Sequence, residues 1–191
     1  MYEQLYESIT EHVSLTNDEW KMCKNNFRPK RMLKRQFLLQ AGDVCRELAF
    51  VEKGALFSFS IDAKGNRQVM RFAFDGWWIA DMRSFLIKKR STLNIEVLED
   101  SELLILDREN HNKLLQKIPA YERYHRIILQ NALVALQTRI ESGLGLSAEE
   151  KYKRLMDHNP EFMNRVPLKL VASYLGLSPE TLSRVRGNMA R

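Results

Sequence analysis

The residues in this chain best placed to do chemistry are Glu180 and Arg184, one helical turn apart behind a Ser178-Pro179 pair. An arginine pairs with both acceptors of a guanine, and a glutamate accepts from a cytosine amine. Glu180 and Arg184 therefore suit base reading in a DNA groove. Ser178 and Thr181, with the free N–H groups of a helix start, suit phosphate contacts. Ser183, Gly187, Asn188 and Arg191 continue the same surface. Other chemistries lack their parts. His12, His111, His125 and His158 all fall outside residues 30–107, so no metal centre is expected on the strands there. Cys23 and Cys45 form no CxxC pair and cannot supply the four ligands an iron–sulfur cluster usually takes. No nucleophile elbow, Walker loop or dinucleotide fingerprint occurs. Neither an enzyme nor a resident cofactor is expected.

The elements that must hold Glu180 and Arg184 are legible around them. The pattern predicts a first helix over Leu168–Leu175 and a left-handed turn at Gly176. Ala172 stands four residues before that glycine, where two crossing helices leave room only for a small side chain. Ser178 is a good N-cap and Pro179 fits the first helical position. Leu177 and Leu182 occupy the hydrophobic-staple positions. Val171, Leu175 and Leu177, then Leu182, Val185 and Met189, supply the inner contacts. A plain amphipathic hairpin needs only the leucines. Alanine, glycine, serine and proline at these offsets point to a DNA-binding helix-turn-helix. Just upstream, Ser147 and Glu150 form a capping box for a helix to about Asn159.

Further upstream, Ala120 to about Ser142 reads as one long helix, closed by Gly143 and Gly145. Leu129, Leu133, Leu136 and Ile140 recur with coiled-coil spacing. Tyr121, Tyr124, Ile128, Ala132 and Ala135 lie on another side. A helix apolar on two sides is buried on two sides: against its own domain, and in a homodimer against a second chain. Burial within a monomer is the alternative. Residues 108–118 form a short helix ending at Pro119. Residues 30–107 alternate short apolar runs with turn residues, as in an antiparallel jelly roll, with a hairpin at Lys64-Gly65-Asn66. Residues 1–26 read as helices. Seven Lys or Arg and no acid fall between Trp20 and Gln36, the pattern of a solvated strand edge, with phosphate contact as the alternative.

The expected fold is thus α+β: an antiparallel β-roll or jelly roll with flanking helices, a long dimerisation helix and a C-terminal (winged) helix-turn-helix domain. Boundaries are expected at 1–118, 119–145 and 146–191. The net charge of +6 suits an anionic partner. No signal-peptide core or membrane-length apolar run is found, so a cytoplasmic protein with no membrane partner is expected.

Roll, long helix and helix-turn-helix in this order resemble the Crp/Fnr family of bacterial transcription regulators over nearly the whole chain. The resemblance is carried by AGDVCRELAFVEKGALFSFSIDAKGNRQVMRFAF, NIEVLEDSELLIL and LVASYLGLSPETLSRVR. It implies a homodimer on double-stranded DNA, with two recognition helices about one turn apart on a pseudo-palindromic operator. RNA polymerase is a further partner it implies. The family's base-reading glutamate and arginine fall on Glu180 and Arg184. Its first reader, an arginine after the capping serine, is Pro179 here, so the target sequence should differ.

The family's effector pocket lies in the roll, where a Gly-Glu pair holds a ribose and an Arg-Ser pair holds a phosphate. An ungapped match anchored on VLEDSELLIL puts Ala80-Asp81 on the first pair and Ser91-Thr92 on the second. Arg90 is one residue early, and a one-residue slip turns a strand side chain to the other face. Cyclic AMP is therefore not expected to bind in the usual way. Trp77, Trp78, Met82, Arg83 and Phe85 either line a pocket for another small molecule or serve as core and rim. The rival to a DNA-binding regulator is a ligand-binding or scaffolding jelly roll whose C-terminal helices only pack.

Overall fold

Two helices precede the first strand, and a carboxylate serves the start of each. Helix α1 (Glu3–Thr10) is anchored through the buried Glu52, whose carboxylate accepts from the backbone N–H of Tyr2, Gln4 and Leu5. Leu5 and Ile9 then drop into the core, four residues apart. Helix α2 (Asn17–Asn26) opens on a capping box between Thr16 and Glu19. The computed structural model describes residues 2–158 and 162–189.

The strands follow: β1 (Arg28–Met32), β2 (Phe37–Leu39), β3 (Glu47–Ile61), β4 (Arg67–Ala73), β5 (Trp78–Ile79) and β6 (Asn94–Asp107). They form one sheet in the order β1-β6-β3-β4, with β2 paired to β6 and β5 to β3. The basic run lies partly on β1, which ends the order and exposes Arg28 and Pro29. Two of these strands, β3 and β6, are much longer than the short apolar runs of residues 30–107 lead one to expect. At Gly54 the chain takes φ +113° and continues as β3 instead of breaking. A Cβ there would stand 2.8 Å from the Ser101 backbone, and the β3–β6 register shifts on both sides of this point. The glycine is a bulge residue, not a terminator. Phe50, Val51, Leu56, Leu103, Leu104 and Leu106 fill the interior.

Helix α3 (Met82–Ile87) follows β5, and α4 (Arg108–Lys117) starts on the Asp107 side chain. Helix α5 runs from Pro119 to Gly145, so Gly143 and Gly145 end it from within and do not stop it earlier. Its first turns bury Tyr121, Tyr124 and His125, and the Tyr124 hydroxyl bonds both Ser8 and the Trp78 indole. Then come α6 (Ala148–His158), α7 (Phe162–Arg165), α8 (Leu168–Leu175) and α9 (Pro179–Met189). No strand occurs among the described residues after 145, so the expected wing has no counterpart there.

Packing divides the chain into two units. One holds the residues up to Ser60 with Arg71–Leu129; the other holds Ile61–Met70 with the residues from Gln130 onward. The tip of the β3–β4 hairpin thus groups with the C-terminal helices, which strand periodicity does not announce. Among the described residues no helix is long and apolar enough to cross a membrane.

Candidate nucleic-acid interface and effector cassette

The turn between α8 and α9 is built as the sequence indicates. Gly176 takes φ +68°. Its N–H donates to Ser173 O and that of Leu177 to Ala172 O, at 3.1 and 2.9 Å. These two bonds make a Schellman ending that satisfies the last carbonyls of α8. Ala172 and Val171 are fully buried, and Leu182 and Val185 pack opposite them on α9. Ser178 Oγ accepts from Thr181 N at 3.1 Å, capping α9. Met189 does not join this core: it is 47% exposed, because α9 has outrun the partners that cover Leu182 and Val185.

The other face of α9 is open. Glu180, Ser183, Arg184, Gly187 and Asn188 are exposed and Thr181 is half-buried. Its own backbone N–H, and then the Ser178 hydroxyl, hold the Glu180 carboxyl below the usual carboxylate range. Glu180 is therefore ionised and acceptor-only at neutral pH. Arg186 adds an exposed cation the sequence pattern did not single out, because it lies off the Glu180–Arg184 line. Arg191 lies outside the described residues.

On α5, Leu129, Leu133, Leu136 and Ile140 are 42, 65, 52 and 55% exposed. Four large apolar side chains in one open line are unusual for a surface left in water.

The residues matched to the family's effector pocket are spread between core and surface. Asp81 is buried and caps α3, accepting from Ser84 N at 3.1 Å and from Ser91 Oγ at 2.6 Å. Ser84 Oγ in turn donates to Lys89 O and accepts from Cys45 N. Arg90, Thr92 and Arg83 are exposed, as is Trp77, while Ala80 and Met82 are half-buried. Trp78 is buried on Phe50 and bonded to Tyr124. The structure brings Asp81 and Ser91 together but leaves Arg90 outside. A cavity of about 390 Å³ does open in this unit, lined by Leu39, Cys45, Ala49, Ile79 and Ile95 among others, and none of the matched residues lines it.

One cluster went unforeseen. His111 and His125 lie with ring centroids 4.4 Å apart, both buried, and neither Nδ1 has a hydrogen-bond partner. Burial pushes each imidazole down to about 4, and His125 adds to the effect on His111. Their separation of fourteen residues across Pro119 hides the pair from any spacing rule. Among the described residues no three His, Cys, Asp or Glu side chains are placed to hold a metal ion.

With this geometry in place, comparison with known proteins is informative. Residues 29–118 match the cyclic nucleotide-binding domain family. The regulatory protein HlyX of Actinobacillus pleuropneumoniae is 25% identical over 178 residues, 86% of this chain and 72% of the relative. The c-di-GMP responsive global regulator CLP of Xanthomonas campestris superposes with a TM-score of 0.72 at 16% identity, covering 92% of each chain. The Thermus thermophilus catabolite activator protein does so with a TM-score of 0.58 at 21% identity, over 96% of this chain and 86% of that one. At these identities the structural likeness is one of fold.

Proposed function

We propose that the chain is a transcription regulator of the Crp/Fnr type that works as a homodimer reading a pseudo-palindromic operator. The observation that carries the reading is α9. One of its faces is sealed into a core by Leu182 and Val185, and the other presents Glu180, Ser183, Arg184 and Asn188 to solvent. The Schellman turn and the serine cap would serve any helix, but a helix that only packed would have no use for an open acid–base pair one turn apart. The exposed line from Leu129 to Ile140 is the seam for the second copy, and its burial would hold the two recognition helices at a fixed spacing. RNA polymerase is a further partner this reading implies, and the cytoplasm the compartment.

Cyclic AMP is not the signal in the usual way. A phosphate in the roll needs a cation facing inward, and Arg90 is exposed. A ribose needs a free carboxylate, and both Asp81 oxygens are engaged by Ser84 and Ser91. Any effector acts only by favouring one arrangement of the reading heads over another. The rival, a ligand-binding roll without DNA affinity, has no specific observation in its favour.

Fluorescence anisotropy with duplex DNA at low salt is the first test, because non-specific binding is visible there. Genome-wide mapping of bound DNA then gives the operator and its symmetry. Absence of any DNA binding at low salt would sink the proposal.

A further inference from the structure

Strand β4 ends the sheet order, and among the described residues one of its edges has no strand to pair with. Unpaired edges are normally blunted or covered. Here, within the second unit, two side chains do the covering. Val69 N–H donates to Ser173 Oγ at 2.9 Å, and Ser173 Oγ donates to Arg67 O at 2.7 Å. The Arg139 guanidinium donates to Val69 O at 3.0 Å and to Met70 O, and reaches Tyr174 O at 3.4 Å. Its charged centre lies 4.3 Å from the centroid of the Tyr174 ring, a cation–π contact. Ser173 and Tyr174 belong to α8, the first helix of the reader, and Arg139 to α5. Three elements therefore meet on one strand edge.

We infer that Arg139 and Ser173 are positioning residues for DNA reading: they clamp the edge of β4 to α8 and so hold α8 and α9 in one orientation on α5. The inference rests on the DNA-regulator reading above. The mount needs such a clamp. Helix α5 reaches α6 through Gly143 and Gly145, and a glycine inside a helix is about 1 kcal/mol worse than alanine. Nothing lies within 4 Å of a Cβ placed at either glycine, so no packing compensates. Lys151 and Arg154 of α6 reach back to Gly143 O and Ser142 Oγ at 3.1 and 2.9 Å, but these bonds fall on the weakened turn itself. The clamp instead ties α8 to α5 at Arg139, four residues before Gly143, with β4 as the common rail. Arg139 supplies what lysine lacks: a planar fork that serves several carbonyls and stacks on an aromatic ring.

A two-headed reader binds its operator only when both heads are oriented at once. Releasing the clamp spreads each head over more orientations, and apparent affinity falls with the competent fraction. Non-specific binding needs only charge and survives.

The experiment uses the full chain. Operator and non-specific DNA affinity are measured for wild type, Arg139→Lys, Ser173→Ala and Ser173→Thr, with thermal unfolding as a fold control. Arg139→Lys and Ser173→Ala should each weaken operator binding by about ten-fold, with non-specific binding at low salt within about two-fold of wild type. Arg139→Lys keeps the net charge, so a lost charge cannot explain its effect. Ser173→Thr keeps the hydroxyl and should restore most of the affinity. Hydrogen exchange at the Val69 amide should speed up in Ser173→Ala and not in Ser173→Thr. If Arg139→Lys fails to fold, the two serine variants decide alone. Operator affinity equal to wild type, or raised, in the folded variants would overturn the clamp. Wild type that binds no DNA even at low salt would instead overturn the regulator reading.

Discussion

Helices α3 and α9 both start on a polar cap, Asp81 in one case and Ser178 in the other, and they use it in opposite ways. Around Asp81 the nearest hydroxyls, those of Ser84 and Ser91, turn inward. Its two oxygens are taken by Ser84 and Ser91, Ser84 reaches on to Lys89 and Cys45, and the nearest cation in sequence, Arg83, is exposed. Around Ser178 the cap is closed just as locally, by Thr181, but the next turn is left open. Buried polar groups that satisfy one another have nothing left for a ligand, whereas exposed ones give up only water when a partner arrives. By this comparison the matched cassette in the roll is satisfied from within, whereas α9 keeps polar side chains open to solvent.

The comparison can be broken at several points, from severe to mild. Leu182→Ala empties a fully buried position between α8 and α9. It should destabilise the second unit by about 2–5 kcal/mol and abolish DNA binding while the first unit keeps its unfolding transition, as calorimetry would show. Acid should do the reverse. The His111 and His125 imidazoles titrate near 4 in the folded chain, against the ordinary 6.5 once unfolded. Their contribution to stability is whole above pH 6.5 and is lost as the pH falls toward 4. The loss is on the order of 3 kcal/mol per histidine, and unfolding followed against pH should place it in the first unit.

Asp81→Ala leaves Ser84 N and Ser91 Oγ without their shared acceptor inside the first unit. We expect a cost of about 2–3 kcal/mol and no change in DNA affinity measured below the melting range. The related ligand test is sharper. Titration calorimetry should find no tight cyclic AMP binding. If binding appears and Arg90→Ala removes it, the one-residue register argument is wrong. Arg184→Ala should leave the melting temperature unchanged and cost roughly 1–3 kcal/mol at one base position of the operator, relaxing specificity there. Mildest of all, Ser178→Ala should cost about 1 kcal/mol of the second unit's stability through the lost cap, with a small loss of DNA affinity.

The reader was legible almost to the residue because each of its signals is local. Gly176 must adopt a positive φ, Ser178 bonds an N–H three residues on, and Ala172 contacts a chain segment only a few positions away. Met189 escaped the same logic. Periodicity tells which face a residue shares but not whether anything covers that face at the helix end. Strands were legible as runs and not as lengths: Gly54 looks like a terminator until Ser101 is seen opposite it. Arg139 carries no signal in the sequence, and His111 and His125 look like unrelated residues. Their partners stand at Met70 and across Pro119, at separations no repeat encodes.

By itself, then, the sequence determined the order of elements, the construction of the helix-turn-helix, the apolar line along α5 and the misplacement of Arg90. These follow from backbone preferences and spacings within a few turns. Only the tertiary structure decided that Asp81 spends its carboxylate on Ser84 and Ser91, that two histidines share a buried pocket, and that the β4 edge is held by Arg139 and Ser173. Each of these is a question of which polar group meets which. That depends on distant segments being brought within hydrogen-bonding range, and no local preference fixes it.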